Sequence, residues 1–195
     1  MKAVLPDTIQ DEILDAAVRI GERDGWRGLT VRKIAAEVNF STMVIYNQFE
    51  NKDDILYALM QRGFQRLRDR WRAVINPADD VRAQLRAIAD AYWDFAFAER
   101  PYYEVMFSMG EVSLTSGQAP AEASETGALI LGTIRAAFSG RNPDVATAQI
   151  ETFFDIFWSY MHGAVALTFG HRIKGGSARS LAVYQAGVEL LTNQF

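Results

Sequence analysis

Few side chains in this sequence could support metal or covalent chemistry. Its two histidines are His162 and His171, and it contains no cysteine. A metal site needs three or four donors at suitable spacing, and no second histidine or cysteine stands at such a spacing from His162. A histidine inside an apolar segment is more simply explained as a core or pocket residue with one satisfied hydrogen bond. We therefore expect no metal site, no cofactor and no enzymatic activity.

Two other motifs can be set aside on spacing. The string Lys174-Gly175-Gly176-Ser177 resembles a phosphate-binding loop, but it lacks the upstream glycine and no strand precedes it. No Ser-His-Asp or Cys-His arrangement indicates nucleophilic catalysis. The acidic residues mostly fall where helix first turns and solvent-exposed faces are predicted.

Aromatic and methionine side chains are concentrated after residue 70. Each of them taken alone is more often a core residue, but together they exceed what a small helical core needs, and apolar pockets between helices are lined in this way. The candidate ligand-pocket residues are Trp71, Tyr92, Trp93, Phe97, Tyr103, Met106, Phe107, Phe154, Trp158, Met161 and His162.

The stretch from Leu29 to Leu56 has the pattern of two short helices joined by a tight turn, followed by a third helix. Thr30 and Ser41 stand at helix N-cap positions. Asn39 falls at the turn, where a residue must tolerate left-handed φ. Ile45 and Phe49 share the inward face of the second helix. Its remaining surface carries Thr42, Met43, Val44, Tyr46, Asn47 and Gln48. A helix of this size can enter the DNA major groove, so we predict a helix-turn-helix.

The spacing in this stretch resembles the tetracycline-repressor (TetR) family. The matching positions are Thr30, Val31, Arg32, Ile34, Ala35, Ser41, Ile45, Tyr46, Phe49, Asn51, Lys52 and Leu56. Two positions depart from the family pattern, because Asn39 and Met43 stand where the family usually has glycine. The string Trp158-x-x-x-His162-Gly163 is similar to the WHG type of C-terminal domain found in part of the same family.

This resemblance implies a set of DNA contacts. Base contacts are expected from Thr42, Met43, Val44 and Asn47, since apolar groups suit thymine methyls and asparagine can pair with adenine. Phosphate contacts are expected from Thr30, Arg32, Tyr46, Gln48 and Lys52. Lys52 begins a helix, where a cation opposes the helix dipole, so a bound phosphate would explain its presence.

The rest of the chain has helical periodicity, and no strand alternation is visible. A long helix is expected from a cap at Asn51 to Asn76-Pro77, and further helices are expected from Val81, from Asn142-Pro143-Asp144 and from a cap at Ser177. The predicted fold is all-α, with a helix-turn-helix DNA-binding domain over residues 1–51 and a helical effector-binding and dimerisation domain over residues 52–195.

Composition narrows the functional class. The net charge of −4 argues against a protein that coats nucleic acid indiscriminately, and 49% hydrophobic residues exclude a disordered chain. No apolar run approaches the roughly 20 residues of a membrane span. Without a secretory signal or cysteines, we expect a cytoplasmic protein that does not contact membranes.

These observations predict a TetR-like transcriptional repressor. It would bind a two-fold symmetric DNA operator as a homodimer. The two copies would associate through their last two helices, Pro143–Phe169 and Ser177–Thr192, and Gly187 would allow these helices to approach closely. A small, largely apolar effector would reposition the fourth helix and release DNA. Two alternatives remain open at this point: a DNA-binding regulator controlled by a protein partner, and a helical ligand-binding protein or enzyme without DNA function.

Overall fold

A computed structural model describes residues 9–107, 119–141 and 147–193, and these residues form helices joined by turns, with no strand among them. The helices are α1 (Ile9–Asp24), α2 (Val31–Glu37), α3 (Thr42–Tyr46), α4 (Lys52–Val74), α5 (Val81–Ala98), α6 (Arg100–Met106), α7 (Ala121–Arg141), α8 (Thr147–Phe169) and α9 (Gly176–Thr192), with a 3-10 turn at Trp26–Gly28. The all-α prediction is therefore confirmed.

The chain forms two compact units. The first contains residues 1–64 and 99–123, and the second contains residues 65–98 and 124–195. The predicted boundary between residues 51 and 52 falls inside the first unit, so this unit is larger than the proposed DNA-binding domain. A separate DNA-binding domain over residues 1–51 stays a prediction.

The core of the first unit is built from one face of α1 and the inward residues of α2 and α3. Ile13, Ala17 and Ile20 recur at helical spacing along α1, and all three are fully buried. Ile34 of α2 and Ile45 of α3 are also fully buried. Burial of each large aliphatic side chain contributes about 1.5–3 kcal/mol, which is enough to hold short helices that would not persist alone.

In the second unit, buried aromatic rings have their polar atoms satisfied by the backbone of α5. The Trp71 indole donates to the Ile88 carbonyl at 3.0 Å, and the Tyr184 hydroxyl donates to the Ala89 carbonyl at 2.7 Å. A buried N–H or O–H without an acceptor costs about 1–3 kcal/mol, so these bonds fix where each ring can sit. They attach α4 and α9 to α5 within this unit.

The contact between α8 and α9 corrects the expectation for Gly187. The Tyr160 hydroxyl reaches across from α8 to the carbonyl oxygens of Val183 at 2.8 Å and Tyr184 at 3.1 Å. A Cβ at Gly187 would lie only 1.9 Å from that hydroxyl oxygen. The space beside Gly187 is thus filled by the same chain, and not by a second copy.

Helix starts follow the predictions only in part. Asn51 caps α4 as predicted, since its Oδ1 accepts from the amides of Asp53 at 2.7 Å and Asp54 at 3.1 Å. The prediction that Ser177 caps α9 is wrong: α9 begins at Gly176, and Gly175 is its N-cap with φ 102° and no side-chain cap bond. The predicted start at Asn142-Pro143-Asp144 lies outside the described residues.

None of the helices among residues 9–107, 119–141 and 147–193 combines the length and the apolar character needed to cross a membrane.

Candidate nucleic-acid interface and ligand pocket

The helix-turn-helix has local hydrogen bonds at its two predicted helix caps and a left-handed residue at its predicted turn. The Thr30 hydroxyl accepts from the Lys33 amide at 3.2 Å, and the Ser41 hydroxyl accepts from the Val44 amide at 3.3 Å. Asn39 has a φ of 55°, in the left-handed region that its short polar side chain tolerates. The sequence therefore determines α2, the turn and α3 by cap and turn chemistry.

Helix α3 presents a surface that the described part of the chain leaves uncovered. Met43 is 66% exposed and Tyr46 is 53% exposed, whereas Ile45 is fully buried. Thr42 and Asn47 are exposed as well. Val44 and Gln48 are half-buried at the edges of the helix. Two large side chains left outward on a five-residue helix suit contact with another molecule.

The basic side chains near α3 differ in whether they already form ion pairs within the protein. Lys33 Nζ contacts Asp24 Oδ2 at 2.8 Å, and Arg23 and Arg19 contact the Glu37 carboxylate at 3.2 Å and 3.3 Å. Hydrogen bonds from Lys33 and then Arg23 hold the pKa of Asp24 below its ordinary value. Arg32 is exposed and has no ion pair among the described residues. Arg32 is thus a free positive charge on α2.

The arginines of α4 that contact acidic groups are paired within their own units. Arg62 pairs with Asp11 and with Asp15, the latter at 2.9 Å. Arg68 pairs with Glu125. These pairs indicate that Arg62 and Arg68 of α4 are structural groups and not parts of a basic DNA-binding patch.

Lys52 has an internal partner that the sequence did not reveal. Its Nζ donates to the Trp26 carbonyl oxygen at 2.9 Å, and its side chain is half-buried. An ammonium group has three donors, so one internal bond leaves others for a phosphate. The predicted phosphate contacts of Thr30, Arg32, Tyr46, Gln48 and Lys52 stay predictions.

The candidate ligand-pocket residues are divided between the two compact units. Tyr103, Met106 and Phe107 belong to the first unit, and the others belong to the second. In the first unit, the Phe107 ring lies 4.8 Å from the Tyr103 ring, and Met106 packs where Gly63 has no side chain. These residues form part of a packed core in that unit.

In the second unit, Tyr92 is the centre of an aromatic cluster. Its ring lies 6.2 Å from Trp71 and 5.5 Å from Trp158. Its hydroxyl lies 3.2 Å from Nδ1 of His162. Burial lowers the pKa of His162, which favours the neutral ring at pH 7. The structure therefore brings four of the predicted residues together as one aromatic cluster with a partly buried polar pair.

The remaining predicted residues lie in other surroundings. Trp93 stacks on Phe97 at 4.6 Å and contacts Tyr184 at 4.7 Å, so this pair belongs to a second cluster. Met161 is fully buried, and Phe154 is half-buried beside Gly127. Among residues 9–107, 119–141 and 147–193, no group of three metal-binding side chains could hold an ion.

An apolar groove of about 460 Å³ lies on the second unit, and the sequence interpretation missed its residues. It is lined by Phe138, Ala148, Gln149, Thr152, Phe153, Ile156 and Leu191. Ile156 is 48% exposed, and Leu167 and Leu190 are also exposed apolar residues of α8 and α9. Helix α8 has a wide apolar surface, so periodicity did not separate its buried face from this exposed one.

A second groove, of about 340 Å³, lies between α4 and α5 of the same unit. Its lining includes Arg70, Val74, Asp90 and Asp94. Burial, and then the Asp94 charge, raise the pKa of Asp90, while a Gln185 hydrogen bond and the Arg86 charge oppose that shift. This groove contains no predicted pocket residue.

Family models match most of this chain. A model described as "Tetracyclin repressor-like, C-terminal domain" matches residues 85–191, and one described as "Bacterial regulatory proteins, tetR family" matches residues 13–59. The first match alone covers more than half of the chain, and the second contains the whole of α2 and α3.

Named relatives are transcriptional regulators. The chain is 31% identical over 84 residues to the nicotine-responsive transcriptional repressor HdnoR of Paenarthrobacter nicotinovorans, covering 43% of each protein. It is 33% identical over 87 residues to the transcriptional regulator BetI of Burkholderia thailandensis, also covering 43% of each. These matches therefore span less than half the length of the curated relatives.

Solved structures share the fold over nearly the whole chain. A Rhodococcus sp. RHA1 protein of unknown function superposes with a TM-score of 0.77 at 22% identity, covering 96% of this chain and 95% of that one. The fatty acid degradation regulator FadR of Bacillus halodurans gives 0.70 at 18% identity, covering 99% and 95%. At such identities the likeness concerns the fold alone.

Proposed function

Because this chain belongs to the TetR family of bacterial regulatory proteins, we propose that it is a DNA-binding repressor that acts as a homodimer. A small, largely apolar effector releases it from its operator. The observation that carries this proposal is the outward surface of α3, where Met43 and Tyr46 are more than half exposed on a helix fixed by Ile45 and Ser41.

Four residues of α3 and its C-terminal end contact base edges in this proposal. They are Thr42, Met43, Val44 and Asn47. The Met43 thioether and the Val44 methyls suit thymine methyl groups, and the Asn47 amide can pair with the N6 and N7 edge of adenine. Three of the four are exposed and Val44 is half-buried, which fits a helix that lies against a groove.

Five residues contact phosphates and so set the register on the duplex. They are Thr30, Arg32, Tyr46, Gln48 and Lys52. Arg32 is the best-supported phosphate contact of the five, because its guanidinium group is exposed and has no ion pair among the described residues. The Thr30 oxygen accepts from the Lys33 amide, which leaves its hydroxyl proton for a phosphate oxygen.

The homodimer forms through α8 and α9. Ile156, Leu167 and Leu190 leave about half or more of their surface uncovered, and Ile156 also borders the apolar groove of the second unit. A second copy would cover these side chains. Dimerisation also serves recognition, because one short helix reads few base pairs and a dimer binds two half-sites of a two-fold operator.

The effector site is proposed at the Tyr92 cluster of the second unit, with Trp71, Trp158 and His162. Aromatic faces suit an apolar or aromatic ligand, and the Tyr92 hydroxyl and His162 ring could orient one polar group. Participation of Tyr103, Met106 and Phe107 in that site stays a prediction. The name of HdnoR describes it as nicotine-responsive, and nicotine is therefore the first probe that we would test here.

Selection of bound sequences from a random duplex pool tests the function. We expect the wild-type protein to enrich a two-fold symmetric site and to shift that duplex at physiological salt. An aromatic effector should weaken that complex, and the duplex should weaken effector binding by the same factor. Failure to enrich any duplex would favour a ligand-binding protein without DNA function. Enrichment without response to any of a panel of apolar compounds would favour control by a protein partner.

A further inference from the structure

We propose that Glu104 is a positioning residue that fixes the start of α4 through Trp26, and thereby sets the orientation of the DNA-binding surface. The proposal concerns the first compact unit only and rests on the DNA-binding function proposed above. Glu104 lies on α6, and its Oε2 accepts from the Trp26 indole Nε1 at 3.1 Å across 78 residues of sequence. The Trp26 carbonyl oxygen accepts from Lys52 Nζ at 2.9 Å. One residue thus connects α6 with the first residue of α4.

Trp26 is held in place by its packing as well as by these two bonds. Its ring lies against Gly21 of α1, where an added Cβ would approach the ring atoms to 2.8 Å. The side chain is only 4% exposed. Because the ring packs closely against Gly21, we expect a change at the indole N–H to be transmitted to the backbone of the 3-10 turn.

That turn leads directly into the helix-turn-helix. Leu29, the residue after the turn, is fully buried, and Thr30 then caps α2. On the other side, Lys52 follows Asn51, whose side chain caps α4. Trp26 therefore lies just before α2, and Lys52, which donates to its carbonyl oxygen, lies just after α3. A displacement of Trp26 would therefore move the start of α2 and the start of α4 together.

The Glu104 link can be changed without opening the core. The other carboxylate oxygen of Glu104 contacts Arg100 Nε at 2.7 Å, and the side chain of Arg100 is more than half exposed. A cavity of about 320 Å³ beside the pair is lined by Gly21, Glu22, Arg100, Pro101 and Glu104. If residue 104 served only to fill space, an apolar side chain would serve better. The Glu104 carboxylate instead accepts from the one polar atom of the Trp26 ring.

Three variants separate positioning from general loosening. Glu104→Ala removes the acceptor of the indole, and Glu104→Gln retains an oxygen that can accept the same bond. Trp26→Phe removes the donor and part of the ring but keeps an aromatic side chain and the carbonyl that Lys52 contacts. Tyr184→Phe is the matched control, because it deletes one buried hydroxyl-to-carbonyl bond in the second unit.

The first readout needs no DNA. In hydrogen exchange on the full chain, Glu104→Ala and Trp26→Phe should speed exchange about tenfold at residues 26–30 and 50–56. Glu104→Gln should stay within about twofold of the wild type there, and Tyr184→Phe should leave both segments unchanged. In a Lys52→Met background, Glu104→Ala should add nothing at residues 50–56. Unchanged exchange at residues 50–56 in Glu104→Ala, or full additivity with Lys52→Met, would overturn the proposal.

The second readout uses the duplex selected by the wild-type protein. Glu104→Ala should change affinity for it by about three- to tenfold, and Glu104→Gln should restore the wild-type value. Equal losses in Glu104→Ala and Tyr184→Phe would mean that the effect is only structural. If the wild-type protein selects no duplex, the proposed function fails, while the exchange experiment still decides whether Glu104 positions α4.

Discussion

Met43 and Tyr46 leave more than half of their surface uncovered on a helix of only five residues. Such a helix is not stable in isolation, so the burial of Ile45 and the Ser41 cap must hold it in place. The buried residues of α3 therefore explain why it folds, and the exposed ones explain what it can contact. The same separation holds on α2, where Ile34 is buried and Arg32 is exposed.

Arg32 and Asn47 should have different effects on DNA binding. Arg32→Ala should weaken binding to all duplexes alike and flatten the plot of log affinity against log salt concentration by about 0.9 for each phosphate that is no longer neutralised. Asn47→Ala should keep the salt dependence but reduce discrimination at one base position by about 1–3 kcal/mol. Titrations of the selected duplex and its single-base variants at several salt concentrations would measure both. A change of base preference in Arg32→Ala with an unaltered salt slope would contradict this division of roles.

Asp90 should make stability depend on pH. Its pKa is raised from 3.8 by burial and by the Asp94 charge. The folded state therefore binds the proton more tightly than the unfolded state does, and stability falls as pH rises from the unfolded pKa through the folded pKa. Because Asp90 is exposed and solvent screens its charge, Asp90→Asn should raise stability at pH 7 by no more than about 0.5 kcal/mol. Thermal unfolding at pH 7 and pH 3 would test this, and the gain should vanish at pH 3.

Helices α8 and α9 approach closely where the Tyr160 hydroxyl enters the space beside Gly187. Tyr160 makes its bonds to α9 backbone oxygens at Val183 and Tyr184. This geometry is available only because Gly187 has no Cβ. The close approach of these two helices thus depends on a large residue on one and the smallest on the other.

Gly187→Ala should destabilise the second unit. The new Cβ would lie 1.9 Å from the Tyr160 oxygen, so the ring must move and its carbonyl bonds must lengthen. Overpacking of this kind costs about 1–3 kcal/mol. Gly132→Ala is the matched control, because nothing lies within 4 Å of its added Cβ, and it should be neutral or stabilise α7 by about 0.5–1 kcal/mol. Denaturant unfolding of both variants measures the difference, and equal stabilities would show that the contact is unimportant.

The elements that could be predicted from sequence are those whose ends depend on local chemistry. Thr30, Asn39 and Ser41 act on residues three or fewer positions away, so their roles were visible in the sequence. The start of α9 was not, because Gly175 and Gly176 both take positive φ and the helix begins one residue before Ser177. A glycine pair allows several chain paths, and tertiary packing selects one of them.

Site residues follow the same division between local and long-range effects. The outward direction of Met43 and Tyr46 follows from helical phase, which the sequence contains. The bond from Lys52 to Trp26 joins residues 26 positions apart, and no pattern encodes it. In α8 the apolar surface is wide, so the exposed Ile156 and the buried Phe157 could not be distinguished from the sequence. Only packing distinguishes them.

Helices α8 and α9 carry several apolar residues that the described part of the chain leaves uncovered. Leu190 is 76% exposed, and Leu167 on α8 is 50% exposed. Isolated exposed leucines are ordinary, but these residues occur together with Ile156 and an apolar groove in one unit. The proposed homodimer interface would account for all of them, and two-fold symmetry would repeat each contact.

Leu190→Asp should therefore convert the protein to a monomer. A carboxylate at this position would be desolvated opposite the partner's apolar surface, and loss of an interface anchor costs about 2 kcal/mol or more. Val74→Asp is the matched control, because Val74 is an exposed apolar residue of the second unit that lies on α4. Sedimentation at micromolar concentration should show a monomer for Leu190→Asp and a dimer for both the wild type and Val74→Asp. A monomer would present only one α3 to the DNA. The Leu190→Asp protein should therefore lose far more affinity for a two-fold symmetric duplex than for a single half-site. A Leu190→Asp protein that stays dimeric and binds the duplex normally would place the interface elsewhere.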